Sequence, residues 1–235
     1  MKIGGLQKTS MIDFPGTVSA VVFTIGCNFT CPYCHNPQLA GAAPKTADVP
    51  DIEEVFRFLQ KRRNVLGGVV ISGGEPTLQG DALFAFCQRL KSQGHKVKLD
   101  TNGSSPQILR ELLKLRLLDY VAMDLKADPF SYPREICAEE PAGRIPESIE
   151  ILSGSGIAHE FRVTCAHPFV TSESFDAILK AAGKSVKIFL QALNLNSVLN
   201  PGFFTMHGPG RPLNAAEIDA LLAQGVTGGH LCHIR

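Results

Sequence analysis

The 235-residue sequence has almost no excess of charge. Its 23 Lys and Arg stand against 22 Asp and Glu, for a formal net charge of +1. General nucleic-acid or membrane-surface binders usually carry a basic excess, so neither partner is expected, although a local patch is not excluded. No apolar run approaches the roughly 20 residues that span a bilayer. The opening MKIGGLQKTSMIDFPG has an early lysine but no apolar core and no small-residue cleavage site. It is read as the start of a mature cytoplasmic protein. Low-complexity tracts, linkers and literal repeats are lacking too. With 44% hydrophobic and 19% charged residues the chain is not of the disordered class. The length suits one large domain or two small ones, with a core that needs no disulfide staples. The seven cysteines are an odd number. That speaks against a disulfide framework and for metal or redox chemistry.

What is present is a recurring unit: an apolar, β-branched run, a loop, then an amphipathic helix pattern. The runs fall at 18–25, 68–72, 96–101, 120–125, 160–164 and 186–191. Several are almost continuously apolar, as in strands covered on both faces. Between them Pro50 suits a first helical position before Ile52, Val55, Phe56 and Leu59. A second helix is lined by Leu83, Phe84, Phe86, Cys87 and Leu90 and stops at Gly94. Ser105-Pro106 and Pro146 open two more, and Phe175, Ile178 and Leu179 mark another. Asn214 with Glu217 three residues on predicts a capping box for the last, which continues through Ile218, Leu221 and Leu222. Strand–helix alternation implies right-handed crossovers and a parallel sheet. Six units fall short of a closed eight-fold barrel, leaving an open doubly wound sheet or a partial barrel. Either way ligands belong at the C-terminal ends of the strands.

The densest chemistry is Gly26-Cys27-Asn28-Phe29-Thr30-Cys31-Pro32-Tyr33-Cys34-His35-Asn36, directly after the first run. Three thiols at C-x3-C-x2-C spacing suit a soft metal or an iron–sulfur cluster. Other readings compete. Cys31-Pro32-Tyr33-Cys34 matches a glutaredoxin dithiol, but that fold is much shorter, and Cys27 would have no role. Cys31, Cys34 and His35 match the c-type haem motif, whose chemistry needs export. A structural zinc needs a fourth ligand, and His35 is badly placed to supply it. Three cysteines holding a [4Fe–4S] cluster would leave one iron open for substrate, where full protein ligation uses four. Cys87, Cys137, Cys165 and Cys232 are the candidates for a fourth thiolate; Cys87 reads as helix core, and Cys165 sits at a strand end. The second signal is Ser72-Gly73-Gly74-Glu75-Pro76-Thr77, after the second run. Its glycines would let the backbone approach a ligand closely, and Glu75 could receive an ammonium group. The plainer alternative is a glycine turn with a solvated glutamate.

Together these motifs resemble the radical S-adenosylmethionine (SAM) superfamily, with Tyr33 as the aromatic residue before the last cysteine. The resemblance implies a partial (βα)6 barrel of parallel strands and two cofactors, a [4Fe–4S] cluster on Cys27, Cys31 and Cys34, and SAM. In that family the reduced cluster cleaves SAM to methionine and a 5′-deoxyadenosyl radical. The segment Thr9-Ser10-Met11-Ile12-Asp13-Phe14-Pro15-Gly16 and the runs Tyr33-Cys34-His35-Asn36-Pro37, Asp100-Thr101-Asn102-Gly103 and Met123-Asp124-Leu125-Lys126 are similar to glycyl-radical-enzyme activases. Among these, the anaerobic ribonucleoside-triphosphate reductase activating proteins match best. The likeness runs over about residues 5 to 130; residues 1–193 are expected to form the barrel and 194–235 an extension packed on the same domain.

The resemblance assigns Gly73, Gly74 and Glu75 to the methionine amino group, and Thr101 and Asn102 to its carboxylate or a nearby ion. Asp124 and Lys126, two apart and so on one side of a strand, would meet the ribose and carboxylate. Arg162 would reach the same cavity, with Gln191 a weaker candidate. The bland alternatives are an Asn-Gly turn, a structural ion pair and a surface arginine. His35 reads as a polar loop residue. The expected activity is radical generation on a glycine of a partner, the anaerobic ribonucleotide reductase. No second cluster motif or flavin fingerprint is seen, so flavodoxin or ferredoxin is expected as electron donor. The alternatives are a small-molecule radical SAM enzyme of the deazapurine-forming kind and a thiol–disulfide oxidoreductase using Cys31 and Cys34.

Overall fold

The computed structural model describes residues 1–41, 49–138 and 143–235. In chain order its elements are β1 (Ile3–Ser10), β2 (Ser19–Thr24), the short α1 (Pro37–Ala40), α2 (Ile52–Lys61), β3 (Gly68–Gly73), α3 (Asp81–Ser92), β4 (Lys96–Thr101) and α4 (Pro106–Lys114). Then follow β5 (Tyr120–Asp124), α5 (Arg144–Ser155), β6 (Ala158–His167), α6 (Ser172–Ala182), β7 (Lys187–Ala192), β8 (Arg211–Pro212), α7 (Ala215–Thr227) and β9 (Leu231–Ile234). The six apolar runs all form strands, and the fold is α/β with mainly parallel strands, as the alternation predicts. Three strands were not legible. Glycines and polar residues break the periodicity of β1, while β8 and β9 are too short to show one.

The contacts divide the chain into two compact units. The first comprises Met1–Asn28, Gln38–Thr101 and Gln107–Val121. Here β2, β3 and β4 pair in parallel and β1 runs antiparallel to β2. Strand β2 is apolar nearly throughout because Ala20, Val21 and Val22 are all buried. Phe14, Val21 and Val70 form a cluster against which Phe23 and Tyr120 pack. Helices α2 and α3 bury Val55, Phe56, Leu59, Leu83, Phe86 and Leu90, with the Phe56 and Phe86 rings 5.0 Å apart. Helix α2 opens two residues after Pro50. Asp51 is its N-cap, in a reciprocal box with Glu54, and that side-chain pairing sets the boundary.

The second unit comprises Phe29–Pro37, Asn102–Pro106 and Ala122–Arg235. Strands β6, β7 and β9 pair in parallel, and β8 lies antiparallel to the end of β6. The amide of Leu125, just past β5, donates to Arg162 O at 2.8 Å. Helix α5 begins at Arg144, two residues before Pro146, so that proline sits inside the first turn rather than at its first position. A proline is tolerated there because the first-turn amides have no intrahelical acceptor. Phe175, Ile178, Leu179, Ile218 and Leu221 are buried as predicted, whereas Leu222 is half-buried. The expected capping box of α7 is formed by Asn214 and Glu217. Replacing Asn214 with Ala should cost about 1 kcal/mol and Asn214→Ser much less; urea unfolding measures both.

Candidate active site

Both sequence motifs begin where a strand ends, and backbone hydrogen bonds join them. Gly74 N donates to Thr24 O at 3.0 Å, and Glu75 N donates to Gly26 O at 2.7 Å. The two glycines are dictated by this contact. A Cβ on Gly73, whose φ is +115°, would stand 2.4 Å from Thr24 N; one on Gly74 would stand 2.1 Å from Gly26 O. The close approach expected toward a ligand is therefore made first to the chain's own backbone. On the other side of Gly26, its amide donates to Leu39 O at 2.8 Å and Cys27 N donates to Ala40 O at 3.3 Å. The carbonyl of Ile25 accepts from Gln79 Nε2 at 2.9 Å.

Glu75 is fully buried, which the picture of a solvated turn glutamate did not anticipate. Its Oε1 accepts from Thr77 N at 3.1 Å, Thr77 Oγ1 at 2.6 Å and Thr101 Oγ1 at 2.7 Å. The carboxylate thus caps the 3-10 turn Pro76–Gln79 and ties the loop to the end of β4. The Thr101 hydroxyl is committed to it. Sequence reasoning passed over Lys98 as a site residue. Its side chain is fully buried and ion-paired with Asp100, which is 16% exposed. Opposite charges at i and i+2, beside the apolar Val97 and Leu99 in this strand, were the available signal.

In the second unit Cys31 is buried and Cys34 half-buried. Cys34 N donates to Cys31 O at 3.0 Å, closing a turn around Pro32 and Tyr33. Thr30 N donates to Ile136 O at 2.8 Å. Tyr33 is buried, donates from its hydroxyl to Lys126 O at 3.3 Å and packs on Phe169 with ring centroids 5.5 Å apart. Burial, and then the neighbouring Cys31, push its phenol well above the ordinary range. Asp124 Oδ2 and Lys126 Nζ form an ion pair at 3.2 Å, as their spacing allowed. Burial disfavours the Lys126 charge, but Asp124 and then Cys31 outweigh it and hold the ammonium well above its usual value. Asn102 Oδ1 accepts from Ser104 N at 2.9 Å, so this oxygen shapes the turn. Gly103 fits that turn closely, because a Cβ there would meet the Met123 side chain at 2.0 Å. Arg162 is not a surface residue: its Nε donates to the buried Glu160 at 2.8 Å, which also pairs with Arg235 at 3.1 Å. His35 Nε2 lies 3.2 Å from Asn194 O. Gln191 is half-buried on β7, opposite Thr164.

The sequence profile of the radical SAM superfamily matches residues 21–182. The chain belongs to this superfamily. It is therefore an enzyme of the kind that uses a [4Fe–4S] cluster and SAM. It is 36% identical over 182 residues to a Methanocaldococcus jannaschii protein assigned as a glycyl-radical enzyme activating enzyme, covering 76% of this chain and 74% of that one. It is 34% identical over 128 residues to the pyruvate formate-lyase-activating enzyme of Clostridium pasteurianum, covering 53% and 52%. The Streptococcus suis SuiB structure bound to S-adenosylmethionine shares the fold, with a TM-score of 0.62 at 15% identity, over 92% of this chain and 49% of that one. The chain thus spans only about half the length of SuiB and of the pyruvate formate-lyase-activating enzyme.

Among the described residues no three His, Cys, Asp or Glu side chains are gathered at metal-binding distances. The fit to an iron–sulfur cluster therefore rests on the donors: three soft thiols within eight residues, none in a disulfide. The other four cysteines are all buried. Burial pushes the Cys87 thiol up to about 12 and the Cys165 thiol up to about 11. The thiolate is the reactive form. Near neutral pH, with no cluster bound, iodoacetamide should thus modify Cys27 and Cys34 well before Cys87 and Cys165, as followed by mass spectrometry. Glu75→Ala leaves three donors without their acceptor in a buried site. It should cost about 3 kcal/mol in urea unfolding, rather than the small loss a solvated glutamate would give; Glu75→Gln should cost less.

Proposed function

We propose that this protein is an activase that generates a glycyl radical on a partner enzyme, with Cys27, Cys31 and Cys34 as ligands of its [4Fe–4S] cluster. The observation that carries the reading is the C-x3-C-x2-C loop and its bonded Gly-Gly-Glu partner, in a chain 36% identical over 182 residues to the M. jannaschii protein. When bound and reduced, the cluster supplies one electron that splits the S–C5′ bond of SAM, giving methionine and a 5′-deoxyadenosyl radical. The products would be 5′-deoxyadenosine and a glycyl radical at the Cα of the partner's glycine.

The chain's own residues bind and orient SAM. Gly73, Gly74 and Glu75 form the loop that receives the methionine amino group, and the two threonine hydroxyls fix the Glu75 carboxylate. Lys126 keeps its positive charge and suits the SAM carboxylate, while Asp124 suits the ribose hydroxyls. Thr101 and Asn102 shape the neighbouring strand end. Arg162 and the buried Tyr33 complete the proposed set. The preferred partner is the anaerobic ribonucleoside-triphosphate reductase, with flavodoxin or ferredoxin as electron donor. The support for the partner is the motif likeness around Tyr33-Cys34-His35-Asn36-Pro37 and Asp100-Thr101-Asn102-Gly103, and for the donor the lack of a second cluster motif or flavin fingerprint in the sequence.

Single Cys27→Ala, Cys31→Ala and Cys34→Ala changes should lose most of the iron taken up anaerobically. The same change at Cys87, Cys137, Cys165 or Cys232 should keep it. Iron lost from Cys165→Ala alone would move the ligand assignment. Reduced protein with SAM and the partner reductase should give a glycyl-radical doublet by electron paramagnetic resonance, absent when the partner's glycine is changed to alanine. SAM cleavage with no doublet on any glycyl radical enzyme would sink the activase reading and favour a small-molecule substrate.

A further inference from the structure

The segment after β7 matched no motif, yet it returns to the cysteine loop. Asn200 N donates to Pro32 O at 3.0 Å, at the residue following Cys31. Asn194 O lies 3.2 Å from His35 Nε2, at the residue following Cys34. Asn200 also caps the 3-10 turn Pro201–Phe204 by accepting from Phe203 N at 3.2 Å. That turn sets the Phe203 ring flat on Phe169, with centroids 5.4 Å apart and planes 13° from parallel. Phe169 in turn packs on Tyr33, which lies between the two cysteines.

Phe203 is itself gripped. Gly210 N donates to Phe203 O at 2.9 Å, and a Cβ on Gly210 would stand 2.4 Å from the Phe203 ring. Directly beyond Gly210, β8 pairs with the end of β6, through Ala166 with Pro212 and His167 with Arg211. The segment is thus tied to the sheet at both ends, by β7 before it and by β8 after it. Phe203 remains only half-buried. A core phenylalanine would be fully enclosed, so this ring serves less to fill the interior than to press on the loop through Phe169.

We propose that residues 194–204 are a strap that fixes the cysteine loop, with Phe203 as the positioning residue that holds Cys31 and Cys34 in place through Phe169 and Tyr33. The importance of that placement for a cluster rests on the ligand reading above. A backbone bond at the residue after Cys31, an imidazole–carbonyl bond at the residue after Cys34 and an aromatic stack on Tyr33 between them restrain the loop at three points. It acts on the ligand loop and touches no reacting atom.

The experiment uses the full chain without cluster and follows iodoacetamide modification of each cysteine by mass spectrometry. In Phe203→Ala the Cys31 rate should rise several-fold toward that of Cys34, with the Cys87 and Cys165 rates unchanged. Phe203→Tyr, which keeps the stack, should retain the parent rates. After anaerobic loading with iron and sulfide, Phe203→Ala should show a broader paramagnetic resonance signal from the reduced cluster and faster iron loss in air. An unchanged Cys31 rate in Phe203→Ala overturns the strap. So does an equal rise at Cys87 and Cys165, which marks general loosening. If Phe203→Ala does not fold, Phe203→Leu is read by the same criteria. Failure of the parent chain to take up iron overturns the ligand reading, whereas a normal parent cluster with no Phe203 effect overturns the strap alone.

Discussion

The candidate site depends on the backbone seam between Thr24–Gly26 and Gly73–Glu75. Two hydrogen bonds close it, and the lack of two β-carbons permits it. The seam fixes the first residue before Cys27 to the loop that carries Glu75. A buried carboxylate then extends this order to the end of β4, because Thr77 and Thr101 both spend their hydroxyls on it. Three successive parallel strands in the first unit thus have their C-terminal ends linked by a short polar chain, in register with the strand pairing itself. Buried polar groups are tolerated when satisfied, and a fully satisfied set specifies one arrangement.

A second polar economy governs the other unit. The phenol of Tyr33, the backbone of Lys126 and the hydroxyl of Tyr132 are joined in sequence: Tyr33 donates to Lys126 O, and Lys126 N donates to Tyr132 Oη at 3.0 Å. The ammonium of Lys126 stays charged in this enclosed setting because Asp124 stands beside it. An ammonium kept protonated by a neighbouring carboxylate can receive an anionic group without a proton transfer. That is the property the proposed SAM carboxylate needs, and it follows from two residues spaced two apart at a strand end.

Glu75 and Phe203 show two ways in which a residue serves a site without being visible as doing so. Glu75 was read for its charge, and the structure adds that it is also a cap and a cross-strand tie. Phe203 was not read at all, since a phenylalanine in a stretch of Asn, Pro, Gly and Ser carries no periodic signal. Its neighbours explain it: a capped turn, a stacked ring and a glycine that leaves room for it.

The sequence by itself determined the six apolar strands, most helix positions, the capping box at Asn214 and the two motifs at strand ends. Each of these rests on local information: the two- and 3.6-residue periods, caps and spacing within a few residues. Spacing also sufficed for the Asp124–Lys126 pair, because residues two apart on a strand share a side. Only the tertiary structure decided that Gly73 and Gly74 press on the chain's own backbone, that Glu75 and Glu160 are buried and that residues 194–204 return to the cysteine loop. The contacts of Gly73 and Gly74 and those of residues 194–204 with that loop join positions 48 to 168 apart, as in Gly74 with Gly26 or Pro32 with Asn200, and Glu75 reaches Thr101 across 26. No local pattern encodes which distant backbone a side chain will meet, because the burial that makes such a contact favourable exists only once the strands have assembled.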